Sequence, residues 1–300
     1  VQQASVQSDR LSELPEEQAA GEIALIYSEI RDLTGVPMVA LIYRHLATIP
    51  GALPWAWGLL RPAMRFGVVQ HHAWRAVEDL ATTDMPSITA AALQVAGLAA
   101  AEQREIAHVL DVYNRANPVN LLAVRCLSSC IDRDAPRSPS TDAWEHWTPP
   151  EVLRGLPPMV DPSAMPPAVQ ELAQLLTSRT LTEAPPALWP SLYRHLAHWP
   201  NFLGYASVLL LPRFDQIDAG AAALRQRLDL TAAEIVDRLT PAPELERPSG
   251  KVATDVQSAI AQFSLRIPEM VIVGKLLRRA LAEPDRSSSA PVTFTAVSSG

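Results

Sequence analysis

The sequence predicts an all-α protein, and three observations carry that prediction. Proline outnumbers glycine 27 to 12 over 300 residues, whereas average usage is about 5% and 7%. Apolar residues recur at three- and four-residue spacing through much of the chain. No stretch alternates polar and apolar residues for long enough to read as a strand. Glycine supplies the positive-φ turns of sandwiches and barrels, so its scarcity argues against those folds. The proline excess predicts short helices that proline interrupts.

Each element follows from local pattern. Pro15, Glu16 and Glu17 put proline and acid into a first helical turn, and Ile23, Ile26, Tyr27 and Ile30 continue as one apolar stripe. Gly35-Val36-Pro37 stops that helix, and a second runs through Val39, Ile42, Tyr43 and Leu46. Thr231 and Glu234 have capping-box spacing ahead of Ile235 and Leu239. Thr254 and Asp255 open a run through Val256, Ile260 and Phe263. Cys126 and Cys130 share one helical face and read as reduced core thiols.

An internal repeat organises these elements. Residues 43–62 read YRHLATIPGALPWAWGLLRP and residues 193–212 read YRHLAHWPNFLGYASVLLLP, with 11 of 20 positions identical at an offset of 150. The same offset pairs Pro118 with Pro268. The expected architecture is two tandem multi-helix repeats of about 130 residues packed as a pseudo-dimer about a pseudo-two-fold axis. Residues 13–130 form the first repeat and 167–283 the second. Residues 131–166 are a proline-rich linker, which Trp144, Trp147 and Leu156 pin to the surface. The polar tail 284–300 is expected to be disordered.

Bulk properties exclude several functions. No two glycines lie closer than Gly51 and Gly58, so the glycine-rich dinucleotide and P-loop phosphate motifs are absent. A net charge of −7 argues against a nucleic-acid or anionic-membrane surface. No apolar run approaches the ~18 residues of a membrane span, and the polar start VQQASVQSDR lacks a signal peptide's apolar stretch. A cytoplasmic protein is expected. His71 and His72 are adjacent, so on a helix they point about 100° apart and cannot share a metal. Neither a metal nor a cofactor is implied.

The repeat also sorts candidate residues. Residues that both copies share, Tyr43-Arg44-His45 and Tyr193-Arg194-His195 included, are assigned to structure. Residues that differ near the axis are assigned to function. Asn117 and Asn120 correspond to Ile267 and Met270, Leu41 to Ser191, and Val39 to Trp189. One wall of a cleft is then polar, made by Asn117, Asn120 and Ser191. The other is apolar, made by Met38, Leu41, Ile267 and Met270, with Trp189 and Val271 beside them. Such a cleft suits a small molecule. Helix capping around Pro118 is the alternative reading of the asparagines.

The YRHLA repeat, the V-P-x-V element at Val36–Val39 and the N-P-x-N element at Asn117–Asn120 resemble the group I 2-haloacid dehalogenases, the DehI type. The resemblance spans residues 15–283 and implies the all-α, two-repeat fold. It also implies halide removal from C2 of a small 2-haloalkanoic acid, in which an aspartate base activates a water that attacks directly with inversion. Asn117 matches the asparagine that places water or substrate. Ser191 stands where the resemblance implies the aspartate, and no Asp or Glu occurs from Ala184 to Phe214. Glu183 would have to reach the cleft past Pro185 and Pro186. The partner implied is a small carboxylate, and a homodimer is compatible with it. A small-carboxylate binder without dehalogenase activity and a structural scaffold of the same fold are the alternatives.

Overall fold

The computed structural model describes residues 11–80, 85–131, 147–178, 189–239 and 248–281. Among them lie eleven α-helices and no strand; one isolated bridge joins Ile88 to Leu281. The helices are α1 (Gly21–Thr34), α2 (Leu41–Leu46), α3 (Ala52–Arg65), α4 (Val68–Glu78), α5 (Ala90–Val95) and α6 (Ala100–Ile131). They continue as α7 (Pro167–Ser178), α8 (Ser191–Leu196), α9 (Pro200–Leu210), α10 (Phe214–Val236) and α11 (Gly250–Ala280). The all-α prediction holds.

Two long helices form the centre. α6 and α11 have 32 and 31 residues and pack on one another; α10 packs on both, and α4 on α6. Residues 118–124 of α6 and 266–274 of α11 are buried on every side, as expected of helices enclosed by others. These helices correct the expectation of short, proline-interrupted elements. Pro118 and Pro268 both sit inside them. An interior proline forfeits one backbone hydrogen bond and crowds the preceding turn; burial of the surrounding apolar turns offsets that cost.

Local signals fared unevenly. Gly35 does end α1, in the left-handed region at φ 64°, and its N–H donates to the Arg31 carbonyl at 2.8 Å. Pro15-Glu16-Glu17 does not open a helix: only a 3-10 turn, Glu16–Gln18, forms there, and α1 begins at Gly21. Val39 likewise precedes α2. Thr231 and Thr254 lie inside α10 and α11, not at their starts. Their hydroxyls turn back to the carbonyls of Arg227 and Gly250, the bond that an interior threonine makes in place of a cap.

The segment from Trp147 to Val160 has no regular structure but packs closely on the first helices. A Cβ on Gly35 would lie 2.8 Å from Pro150 Cγ, and one on Gly67 would collide with the Trp147 ring. Leu153 donates its N–H to the Gly35 carbonyl at 3.1 Å. Trp144 and the tail 284–300 lie outside the described residues. Cys126 is buried and Cys130 half-buried, both as free thiols, and burial pushes the Cys126 thiol pKa up. No helix among the described residues is long and apolar enough to cross a membrane.

Candidate functional site

A cavity of about 470 Å³ opens where α2, α6, α8 and α11 meet. Its position follows from the elements just described. The chain turns from Pro37 through Ala40 into α2, bringing Met38 and Leu41 to one side. The buried middle of α6 presents Tyr113, Asn117 and Asn120, each about one helical turn from the next. α11 contributes Phe263, Arg266, Ile267 and Met270, and α8 begins at Ser191 with Trp189 just before it.

Eight of the nine residues singled out from the sequence line this cavity: Met38, Leu41, Asn117, Asn120, Trp189, Ser191, Ile267 and Met270. Val271 does not. It is buried in the core, because neighbouring helix positions point about 100° apart and Met270 takes the cavity side. Glu183 lies outside the described residues. No group of three His, Cys, Asp or Glu among the described residues is placed to hold a metal.

The structure adds polar groups that the sequence reasoning assigned elsewhere. Arg44 and Arg194, equivalent at the offset of 150, both line the cavity, and both are buried. Arg44 pairs with Glu13 at 3.0 Å, while Arg194 Nε donates to the Val160 carbonyl at 3.2 Å. His195, taken from sequence as structural, is also in the wall. Its Nδ1 lies 2.7 Å from Tyr113 Oη and its Nε2 3.0 Å from the Pro157 carbonyl oxygen. The 147–160 segment therefore does more than link: residues 155–159 close one side of the cavity.

Electrostatics follow from this burial. Burial pulls the His195 imidazole down to about 4, helped by His198 and Arg194 and opposed by the Pro157 and Ser191 carbonyls. Burial pushes the Tyr113 phenol up, against the pull of Arg44, Arg194 and the Ser191 hydroxyl. Two glutamates in the wall are already engaged. Glu13 holds Arg44, and Glu16 accepts the Val39 N–H at 2.7 Å while pairing with Arg31. Glu17 stands exposed at the rim. The cavity thus offers three arginines, two amides, a serine, a buried tyrosine–histidine pair and an apolar wall.

No family model matches the chain. In sequence it is 28% identical over 240 residues to a configuration-inverting 2-haloacid dehalogenase of Alcaligenes xylosoxydans xylosoxydans, covering 76% of this chain and 77% of that one. In structure it is similar to a D-2-haloacid dehalogenase in complex with L-LA. The TM-score is 0.73 at 20% identity, over 90% of this chain and 96% of that one. A mutant of such an enzyme with D-2-CPA gives 0.72 at 20% identity, over 90% and 95%. The chain thus resembles the configuration-inverting 2-haloacid dehalogenases in sequence and has the fold of the D-2-haloacid dehalogenases.

Proposed function

We propose that this protein hydrolyses the carbon–halogen bond of small 2-haloalkanoic acids by direct attack of water, with the cavity as its active site. The observation that carries the reading is convergence. Met38 and Leu41 from one segment, Asn117 and Asn120 from α6, Ser191 from α8 and Ile267 and Met270 from α11 surround one space of about 470 Å³. That volume falls in the range of small-molecule sites. The similarity to 2-haloacid dehalogenases supports the reaction class.

Each group has a role in this reading. Arg44 and Arg194 draw the carboxylate by charge. Asn117 orients water or substrate through its amide, which both donates and accepts. Met38, Leu41, Ile267 and Met270 enclose the alkyl group and the departing halide. Trp189 and Asn120 complete the walls. In-line attack inverts C2, and no ester to the protein forms. The corresponding helices at the offset of 150, α2 with α8 and α6 with α11, support a duplicated, pseudo-dimeric origin of the cleft. A soluble, cytoplasmic enzyme that needs neither cofactor nor nucleic acid, alone or as a homodimer, fits the same reading.

Ser191 favours a second reading, in which the protein binds a small carboxylate without dehalogenating it. A scaffold role would call for a cleft filled by side chains, and an open cavity beside Asn117 does not favour it. The experiment is halide release from racemic 2-chloropropionate by purified protein, between about pH 6 and 10, beside calorimetry with the same acid and with lactate. Halide release that Asn117→Ala lowers by a hundredfold or more supports the enzyme. Binding without release selects the carboxylate binder.

A further inference from the structure

We propose that Ser191, Tyr113 and His195 form a directed proton relay that serves as the general base of this site, in place of a carboxylate; the inference rests on the reading of the cavity given above. Its direction follows from hydrogen-bond chemistry, starting at the buried end. The Pro157 carbonyl can only accept, so the His195 Nε2, 3.0 Å away, carries the proton. In a neutral imidazole Nδ1 is then the lone-pair nitrogen, and Tyr113 must donate to it across 2.7 Å. With its proton committed, the Tyr113 oxygen is left as an acceptor, and the Ser191 hydroxyl, which lines the same cavity, is near enough to favour negative charge on it. A serine that donates inward keeps its lone pairs toward the cavity. Ser191 therefore presents a proton acceptor at the position from which a base must act.

The repeat contains its own comparison. At the offset of 150, Tyr113 becomes Phe263, His195 becomes His45 and Ser191 becomes Leu41. The rings still meet, with Phe263 and His45 centroids 6.5 Å apart. There is no hydroxyl to donate, and the His45 Nδ1 instead lies 2.7 Å from the Ser12 carbonyl oxygen. The histidine is thus kept on both sides of the cleft, while the tyrosine and the serine are found on one side only.

In the step itself, the water oxygen forms its bond to C2 as the carbon–halogen bond breaks and the halide leaves with the bonding pair. The water proton passes to Ser191 Oγ, the serine proton to Tyr113 Oη, and the phenolic proton to His195 Nδ1. The resulting imidazolium donates at Nε2 to Pro157, with the Ser191 carbonyl also favouring the charged form. It later releases its proton to solvent. His195 faces Arg194 and His198 from its own helix, and Arg44 and Arg194 both face Tyr113. Burial above all, with His198 and Arg194 beside it, holds the imidazole neutral, and with a value of about 4 its basicity matches a carboxylate's. Ser191 is the group that meets the reacting water, and Tyr113 and His195 act through it.

The test compares wild type with Tyr113→Phe and His195→Gln, reading halide release against pH, 2-chloropropionate affinity and melting temperature. The relay predicts wild-type turnover that falls on an acid limb near pH 4. Either variant should lose about 10²–10⁴-fold in kcat with affinity unchanged within about threefold, the limb disappearing in His195→Gln. Adding Ser191→Asp to Tyr113→Phe should restore release, because a carboxylate there needs no relay. Wild-type kcat in Tyr113→Phe overturns the relay while leaving the dehalogenase reading intact; a wild type that binds but releases no halide overturns both. Should the variants fail to fold, nitrogen NMR of the wild-type imidazole decides. A proton on Nε2 with Nδ1 bare supports the relay, and a proton on Nδ1 at neutral pH sinks it.

Discussion

Asn114 donates its side-chain amide to the carbonyl oxygen of Gly274 at 3.2 Å, tying α6 to α11 at the centre of the fold. The contact is possible because Gly274 has no side chain; a Cβ there would run into Asn114 Oδ1. Glycine inside a helix ordinarily costs up to about 1 kcal/mol relative to alanine.

Gly274→Ala should therefore destabilise the protein, despite alanine's better helix propensity, by about 1–3 kcal/mol in urea unfolding. In the Asn114→Ala background the same change should become neutral or stabilising. That change of sign is the double-mutant signature of direct contact. Equal effects in both backgrounds would place the strain elsewhere.

Gly35→Ala should cost about 2 kcal/mol or more, since it combines a left-handed backbone with a blocked approach. Its φ is 64°, and the added Cβ would lie 2.8 Å from Pro150 Cγ and 2.9 Å from the Pro150 carbonyl oxygen. The segment that carries Pro150 also supplies Leu156 and Pro157 to the cavity. Weaker binding of 2-chloropropionate should accompany the lost stability, read by calorimetry on the same variant.

Glu29 joins α1 to α3 by accepting from Trp57 Nε1 at 2.8 Å, Arg61 Nε at 2.8 Å and Arg65 Nε at 2.7 Å. Burial raises its pKa, but these three donors outweigh it and hold the carboxyl below its usual value. A depressed carboxylate stabilises the fold above its unfolded value and loses that contribution as pH falls through the folded one. Glu29→Gln should cost about 1–2 kcal/mol at pH 7, because the arginines are half exposed and water screens them. The difference from wild type should shrink toward pH 3 in paired melting curves.

His195 sets an acid limit of the same sign that begins at higher pH. Its folded value of about 4 lies below the ordinary 6.5, so the unfolded chain takes up the proton first as pH falls. Stability is unaffected above about pH 6.5 and declines between there and 4, by about 3 kcal/mol in all. Urea unfolding should show this slope in wild type. In His195→Gln the slope should flatten, whatever the variant does to turnover.

The parts of the site that were legible in the sequence were those whose identity changes between the two copies. Asn117, Asn120 and Ser191 stood out against Ile267, Met270 and Leu41, and all six reach one cavity. His195 was lost by the same rule, since His45 repeats it; the two differ only in what lies opposite. Tyr113 is 82 residues from His195 in the chain, and no local pattern encodes that meeting. Pro157 acts through its backbone carbonyl, which leaves no trace in residue type. The continuity of α6 and α11 through Pro118 and Pro268 was hidden for another reason. Proline's local preference is overridden where the turns around it are enclosed by other helices.

Single-turnover hydrolysis of 2-chloropropionate in oxygen-18-labelled water, with protein in excess over substrate, tests the central claim most directly. Direct attack of water in this cavity predicts stoichiometric chloride and lactate whose new hydroxyl carries the label from the first turnover. Unlabelled lactate would mean that a protein carboxylate had attacked, and absence of chloride from either enantiomer would mean that the cavity does not perform this reaction.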